Sequence, residues 1–264
     1  MALVKPISSS YPFSTNGNYF FIGMPGSGKT FKIWKHILTC EKMFKKPVYS
    51  LIVFCSTSGK MDKTSEALRP NITTPIKYIT DEELLPWLTK HLKRKSKYYS
   101  MVKHVLSKLQ NTDEKMAQLI QKHSLDDIED RIVYIAQKLV KYDTVEYPFN
   151  TLLILDDFAG HPLTQKTNSP LNRLLTKNRH NNLTCIIAIQ THIWINRNLK
   201  RIATDMVIYA GYSREDMETM LTQIPNNLNK KEIIDSYLNL KNPNDYLQIN
   251  IIANRHEFVI NTRF

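Results

Sequence analysis

Gly23-Met24-Pro25-Gly26-Ser27-Gly28-Lys29-Thr30 fits the pattern G-x-x-x-x-G-K-[ST]. Asn18 to Ile22, just before it, is a short aromatic and apolar run. After it, Thr30 to Cys40 carries apolar residues at Phe31, Ile33, Trp34, Ile37 and Leu38, the spacing of a helix with one buried face. Strand, glycine loop and helix in this order give the pattern its physical meaning. Residues without side chains let successive backbone N–H groups wrap a phosphate chain at the helix N-terminus. Three of the chain's seven glycines fall in this loop. The nucleotide-binding candidates are Gly23, Pro25, Gly26, Ser27, Gly28, Lys29 and Thr30. Lys29 is set to meet the β- and γ-phosphates of ATP as a point charge, and Thr30 to ligate Mg2+ through its hydroxyl.

A phosphate loop requires a partner element, an apolar strand ending in a carboxylate on the metal side. Thr151-Leu152-Leu153-Ile154-Leu155-Asp156-Asp157 supplies it. Asp156 is by position the metal-side acid, and Asp157, one residue on, is placed to orient or deprotonate an attacking water. A second apolar strand, Cys185 to Ile189, ends in Gln190. In a parallel sheet its C-terminal end shares the rim of the phosphate loop, so Gln190 is a candidate sensor of the γ-phosphate or the catalytic water. Arg173, Lys177, Arg179 and His180 stand upstream. Arg179 is the candidate arginine finger for a neighbouring subunit, with a surface ion-pair role the alternative on spacing alone.

Val48 to Cys55, Thr151 to Leu155 and Cys185 to Ile189 are continuous apolar runs, and Met206 to Ala210 is a weaker one. Such runs suit strands buried on both faces. Separated by helical patterns, they predict an α/β fold of the P-loop NTPase kind: a mainly parallel twisted sheet flanked by helices. The interval from about residue 58 to 147 exceeds what one crossover needs and predicts a helical insertion between the second and third core strands. Within it, Leu125, Ile128, Ile132, Ile135 and Leu139 recur at helical spacing behind Ser124 and Asp127. Tyr246 to Ile252 and Glu257 to Thr262 alternate around Asn254 and Arg255, predicting a C-terminal β-hairpin over about 246–264. At 264 residues and 42% hydrophobic composition the chain suits one large domain, 1–264.

Lys and Arg number 36 against 24 Asp and Glu, a formal charge of +12, which favours a polyanionic partner. From Lys90 to Lys108 stand seven Lys or Arg and no acid, interleaved with Tyr98 and Tyr99. That run suits a surface tracking nucleic-acid phosphates, or a solvated helix face. Cys40, Cys55 and Cys185 are widely spaced, and the latter two lie in apolar runs, so reduced core thiols are expected rather than disulfides or a zinc site. Met1 to Asn18 is rich in Ser, Pro and Asn and has no signal-peptide core. No apolar run approaches the roughly 18 residues of a membrane span, so a soluble intracellular chain with no membrane span is expected.

Phe20 to Thr30, Leu152 to Phe158, Asn178 to Thr191, Ser213 to Met217 and Ile224-Pro225 together resemble the poxvirus-type DNA packaging ATPases of large DNA viruses and virophages, a branch of the FtsK–HerA superfamily. The resemblance runs in order from about Asn18 to Leu238. It implies ATP and Mg2+ as cofactors, with Lys29 and Thr30 on nucleotide and magnesium, Asp156 and Asp157 as the acid pair, Gln190 as sensor and Arg179 as the most family-like arginine. It also implies a homo-oligomeric ring, pentamer or hexamer, that pushes double-stranded DNA into a preformed capsid beside capsid vertex proteins. The place of action would be the virion or a viral factory in the host cytoplasm. The second acid is Asp157 where much of the superfamily has Glu, and the stretch from about Ser58 to Tyr147 matches poorly. Two rivals share the phosphate loop. A nucleoside or nucleotide kinase would need an acceptor pocket and an arginine-bearing lid, and the paired acids and the Gln190 strand speak against it. A nucleotide-gated DNA-binding assembly factor would have no need to keep both acids.

Overall fold

The strands are β1 (Asn18–Ile22), β2 (Leu51–Ser56), β3 (Ile76–Ile79), β4 (Thr151–Asp156), β5 (Leu183–Ile189), β6 (Asp205–Tyr209), β7 (Tyr246–Asn250) and β8 (Arg255–Val259). A computed structural model describes residues 16–43, 49, 51–57, 63–112, 150–191, 195–224, 229–251 and 255–259. The helices among them are α1 (Lys29–Met43), α2 (Lys63–Leu68), α3 (Asp81–Thr112), α4 (Pro162–Gln165), α5 (Pro170–Thr176), α6 (Arg197–Arg201), α7 (Arg214–Gln223) and α8 (Lys230–Tyr237).

All eight strands join one sheet in the order β3-β2-β4-β5-β1-β6-β7-β8. The pairings from β3 across to β6 are parallel, and β7 and β8 add antiparallel. The fold is therefore α/β with a mostly parallel sheet. The central strands are apolar throughout because both faces are covered. β1, β5 and β6 are buried along their whole length. On one face Tyr19, Phe21, Ile52, Phe54, Leu152, Ile154, Ile186 and Ala188 pack with Ile33, Trp34 and Ile37 of α1. Trp34 stacks on Phe54 with ring centroids 5.7 Å apart and donates to Ser65 Oγ at 2.8 Å. Right-handed crossovers carry the β4-to-β5 and β5-to-β6 connections over the opposite face, where Leu171 and Leu175 of α5 and Leu199 of α6 are buried.

Three features depart from the sequence-based expectation. The stretch predicted as a helical insertion also contains β3, which extends the sheet beyond β2. Four residues between Pro75 and Thr80, with Lys77 exposed, make a half-covered edge strand too short for a periodicity to register. In the hairpin, β8 begins at Arg255, which pairs with Asn250, so this residue belongs to the strand rather than the turn. The pattern from Ser124 to Leu139 lies outside the described residues. Phe31 of α1, counted on the apolar face, is exposed.

The chain divides into two compact units, Met1–Leu85 with Pro148–Phe264, and Pro86–Tyr147. The second falls inside the predicted insertion. Its described part is the run of α3 from Pro86, on which Lys90, Lys93 and Arg94 are exposed and Lys95 is buried. The basic stretch Lys90 to Lys108 thus lies on one helix; the side chains of its second half, Tyr98 and Tyr99 included, lie outside the described residues. Cys40, Cys55 and Cys185 are buried free thiols; burial pushes those of Cys40 and Cys55 up to about 12.

Candidate nucleotide site

β5 lies between β1 and β4, and the register aligns their C-terminal ends: Ile22 pairs with Ile189, and Asp156 with Ala188. The loops leaving these strands are tied to β5. Gly23 N–H donates to Ile189 O at 3.1 Å, and Asp157 N–H donates to Ala188 O at 3.1 Å. The phosphate loop, the acid pair and Gln190 therefore meet at one rim. With neighbouring strands about 4.8 Å apart, β1 and β4 stand roughly 10 Å apart, a gap that leaves room for phosphates and water between Lys29 and the acids.

The loop's glycines have separate reasons. A Cβ at Gly23 would lie 2.4 Å from Ser27 Oγ and 2.9 Å from Tyr209 Cβ, so the start of the loop has no room for a side chain. Gly28 sits at φ +88, a conformation that an L side chain resists. Gly26, at φ +78, shares that left-handed geometry. The Lys29 ammonium folds back onto the loop, donating to Gly23 O at 2.6 Å and Met24 O at 3.0 Å. Burial lowers its pKa from the ordinary lysine value, while the carboxylates of Asp156 and Asp157 act the other way by keeping a cation favourable. Among the described residues Ser27 Oγ is buried with no hydrogen-bond partner, an orphan polar atom within the loop itself.

Asp157 occupies a left-handed backbone conformation, φ 58, a strain of about 1 kcal/mol for a non-glycine residue. Three hydrogen bonds hold it there. Besides its N–H bond to Ala188, its carbonyl accepts from Thr57 Oγ1 at 3.0 Å, and its Oδ1 accepts from Gln190 Nε2 at 3.0 Å. Gln190 is in turn anchored through its backbone carbonyl, which accepts from Tyr212 Oη at 2.6 Å. The Tyr212 N–H donates to Tyr237 Oη at 3.3 Å, Tyr237 Oη donates to Tyr209 O at 2.5 Å, and Tyr209 Oη reaches Gly28 O at 3.4 Å. Burial raises the pKa of Tyr209, Tyr212 and Tyr237, so these phenols stay neutral donors. The path runs from the acid pair through β6 and α8 back to the phosphate loop. Sequence reasoning missed these tyrosines because isolated phenols carry no motif.

The residues present fit Mg2+ with a nucleotide. Thr30, next to Lys29 at the start of α1, and Asp156, at the end of β4, are hard oxygen donors, and the glycine cradle holds a buried hydroxyl with no partner among the described residues. Arg179 does not join this site. It lies in a 3-10 turn, Asn178–Asn181, immediately before β5, where Asn178 Nδ2 donates to Asn16 O at 2.7 Å near the start of β1. This is the opposite rim of the sheet, about 20 Å away along the length of β5. That distance keeps Arg179 from the nucleotide site of its own chain. The Arg179 side chain lies outside the described residues.

The model of the family described as poxvirus A32 protein matches residues 97–258, more than half of the chain. The match begins after the phosphate loop, so that loop is an independent observation. Among curated protein sequences none matches the chain. The DNA-packaging ATPase B204 from Sulfolobus turreted icosahedral virus is similar in structure, with a TM-score of 0.54 at 13% identity, over 94% of this chain and 99% of that one. The genome packaging NTPase B204 from Sulfolobus turreted icosahedral virus 2, in complex with ATP-gammaS, gives 0.52 at 14% identity, over 94% and 98%. EssC ATPases 2 and 3 from Geobacillus thermodenitrificans give 0.52 at 10% identity, over 93% of this chain and 40% of that one. At these identities the likeness is one of fold.

Proposed function

The chain belongs to the poxvirus A32 protein family, the poxvirus-type branch of viral packaging ATPases, and from that premise we propose that it is an ATP-driven translocase that moves double-stranded DNA into a preformed capsid. The observation that carries the proposal is the convergence of Lys29, Asp156, Asp157 and Gln190 at one sheet rim. The chain is an ATPase of the P-loop class. No described helix is long and apolar enough to cross a membrane.

Gly23, Pro25, Gly26, Ser27, Gly28, Lys29 and Thr30 bind the triphosphate, with backbone N–H groups and the Lys29 ammonium neutralising its charge as it develops on the leaving oxygens. Thr30 and Asp156 would hold Mg2+, which would supply neutralisation of phosphate charge. Asp157 orients a water for in-line attack and accepts its proton. Gln190, hydrogen-bonded to Asp157 Oδ1, ties the position of that carboxylate to β5. Arg179 serves the site of the adjacent subunit in a homo-oligomeric ring, and capsid vertex proteins take the ring as their partner during virion assembly.

Measuring ATP turnover with and without linear duplex DNA tests the proposal. A translocase is stimulated severalfold by duplex DNA. Turnover indifferent to DNA but dependent on a nucleoside acceptor would make the chain a kinase, and turnover slow in every condition would make it an assembly switch.

A further inference from the structure

From Phe158 to Thr204 the chain contains no Asp or Glu, yet it contains Lys166, Arg173, Lys177, Arg179, Arg197, Lys200 and Arg201. At the chain's usage of 24 acids in 264 residues, such a stretch would hold about four. The segment supplies α4, α5 and α6. On α5 and its C-cap, Arg173 and Lys177 stand four apart, and on α6 Arg197 and Arg201 do the same, so each pair shares a helix face. All four are exposed, because Leu171, Leu175 and Leu199 take the inward positions. Among the described residues none of the four pairs with a carboxylate.

The two helices end side by side. Asn18 Nδ2 donates both to Leu175 O of α5 at 3.3 Å and to Ile202 O at the end of α6 at 3.1 Å. Arg201, Leu175 and Thr176 line one cavity of about 290 Å³ at this rim, opposite the nucleotide site. Like charges four apart on a helix repel each other, and no acid in the segment relieves them. A counter-charge from outside the chain would.

We infer that the α5–α6 surface, through Arg173, Lys177, Arg197 and Arg201, binds the phosphate backbone of duplex DNA. The inference rests on the DNA-translocase reading and adds the place of contact. Cations on helix faces, without carboxylates to compete, neutralise phosphates irrespective of base sequence, as an enzyme moving along any sequence requires. The surface lies outside the family-like motifs at the nucleotide site, so it can grip DNA without obstructing ATP.

The test uses the full-length protein and a linear duplex of mixed sequence, with affinity measured across a salt series. The variant carries Arg173→Gln, Lys177→Gln, Arg197→Gln and Arg201→Gln; a comparator carries Lys90→Gln, Lys93→Gln and Arg94→Gln on α3. Each lost phosphate contact lowers the slope of log K against log salt by about 0.9. The first variant is expected to lose two or more units of slope and on the order of tenfold or more in affinity, the comparator less than one unit. Thermal unfolding midpoints matching the parent exclude misfolding as the cause, and if the quadruple variant misfolds, the two pairs on α5 and α6 are neutralised separately, each losing about half the effect. A quadruple variant with the parent's slope overturns the inference while leaving the translocase reading intact, and equal losses in variant and comparator overturn it as a mere net-charge effect. Displacement from the surface by polyglutamate but not by duplex would assign it to an acidic protein and overturn it too. A parent protein that does not bind duplex DNA overturns both.

Discussion

At the residue scale, the nucleotide site separates binding from hydrolysis. Lys29→Ala removes the ammonium that folds into the phosphate loop, and loss of measurable ATP binding is expected in a fluorescent-nucleotide titration. Asp157→Asn is expected to bind ATP with near-parental affinity yet turn over at least about 10²-fold more slowly. Asn tolerates a left-handed backbone as well as Asp does, so the loss would be one of chemistry and not of local geometry. Tyr212→Phe deletes the donor to the Gln190 carbonyl. It should lower kcat severalfold with KM little changed, because the phenol acts through Gln190 and touches no nucleotide group. The meeting of Lys29, Asp156, Asp157 and Gln190 at one rim was legible in the sequence, since each ends or follows an apolar run in a recognisable context. Tyr212 was not legible: its role depends on which carbonyl its hydroxyl meets, and that is decided by the return of the chain from β6 to α7.

At the element scale, α1 suppresses a titration that the unfolded chain shows. His36 is buried beside Cys40 Sγ and Tyr49 Oη, and burial, with a smaller push from Lys32, lowers its pKa to about 3. The unfolded chain takes up a proton as pH falls below about 6.5 while the folded one does not, so stability is lost progressively from there toward pH 3. Urea midpoints measured between pH 7 and pH 4.5 should show that decline, and His36→Gln should flatten it. The α7 N-terminus is closed by a reciprocal capping box between Ser213 and Asp216, and Ser213→Ala is expected to cost about 1 kcal/mol. Most elements were legible because apolar runs of five to seven residues mark strands buried on both sides. β3 was missed because an edge strand with one covered face needs only a few apolar residues. Lys95, counted in a basic run, is buried because three-residue spacing from Leu92 places it on the apolar side of α3, a consequence that a charge tally ignores.

At the scale of the whole molecule, Arg179 and the phosphate loop stand at opposite rims, so the role proposed for Arg179 calls for a second chain. Co-expressed Lys29→Ala and Arg179→Ala chains, each inactive alone, should recover up to about a quarter of parental turnover, the fraction of neighbours in which an intact loop meets an intact arginine. No recovery would place Arg179 outside the reaction.

The strand between the phosphate loop and the acids has a mechanical corollary. For β4 to slide past β1, one of the two ladders on β5 must break along its whole length, and a slip of one residue would turn the buried side chains of the sliding strand to the wrong face. Such a sheet is a stator. In the proposed translocase, the stroke that follows hydrolysis would fall to the parts mounted on its rim, working against a frame that does not yield.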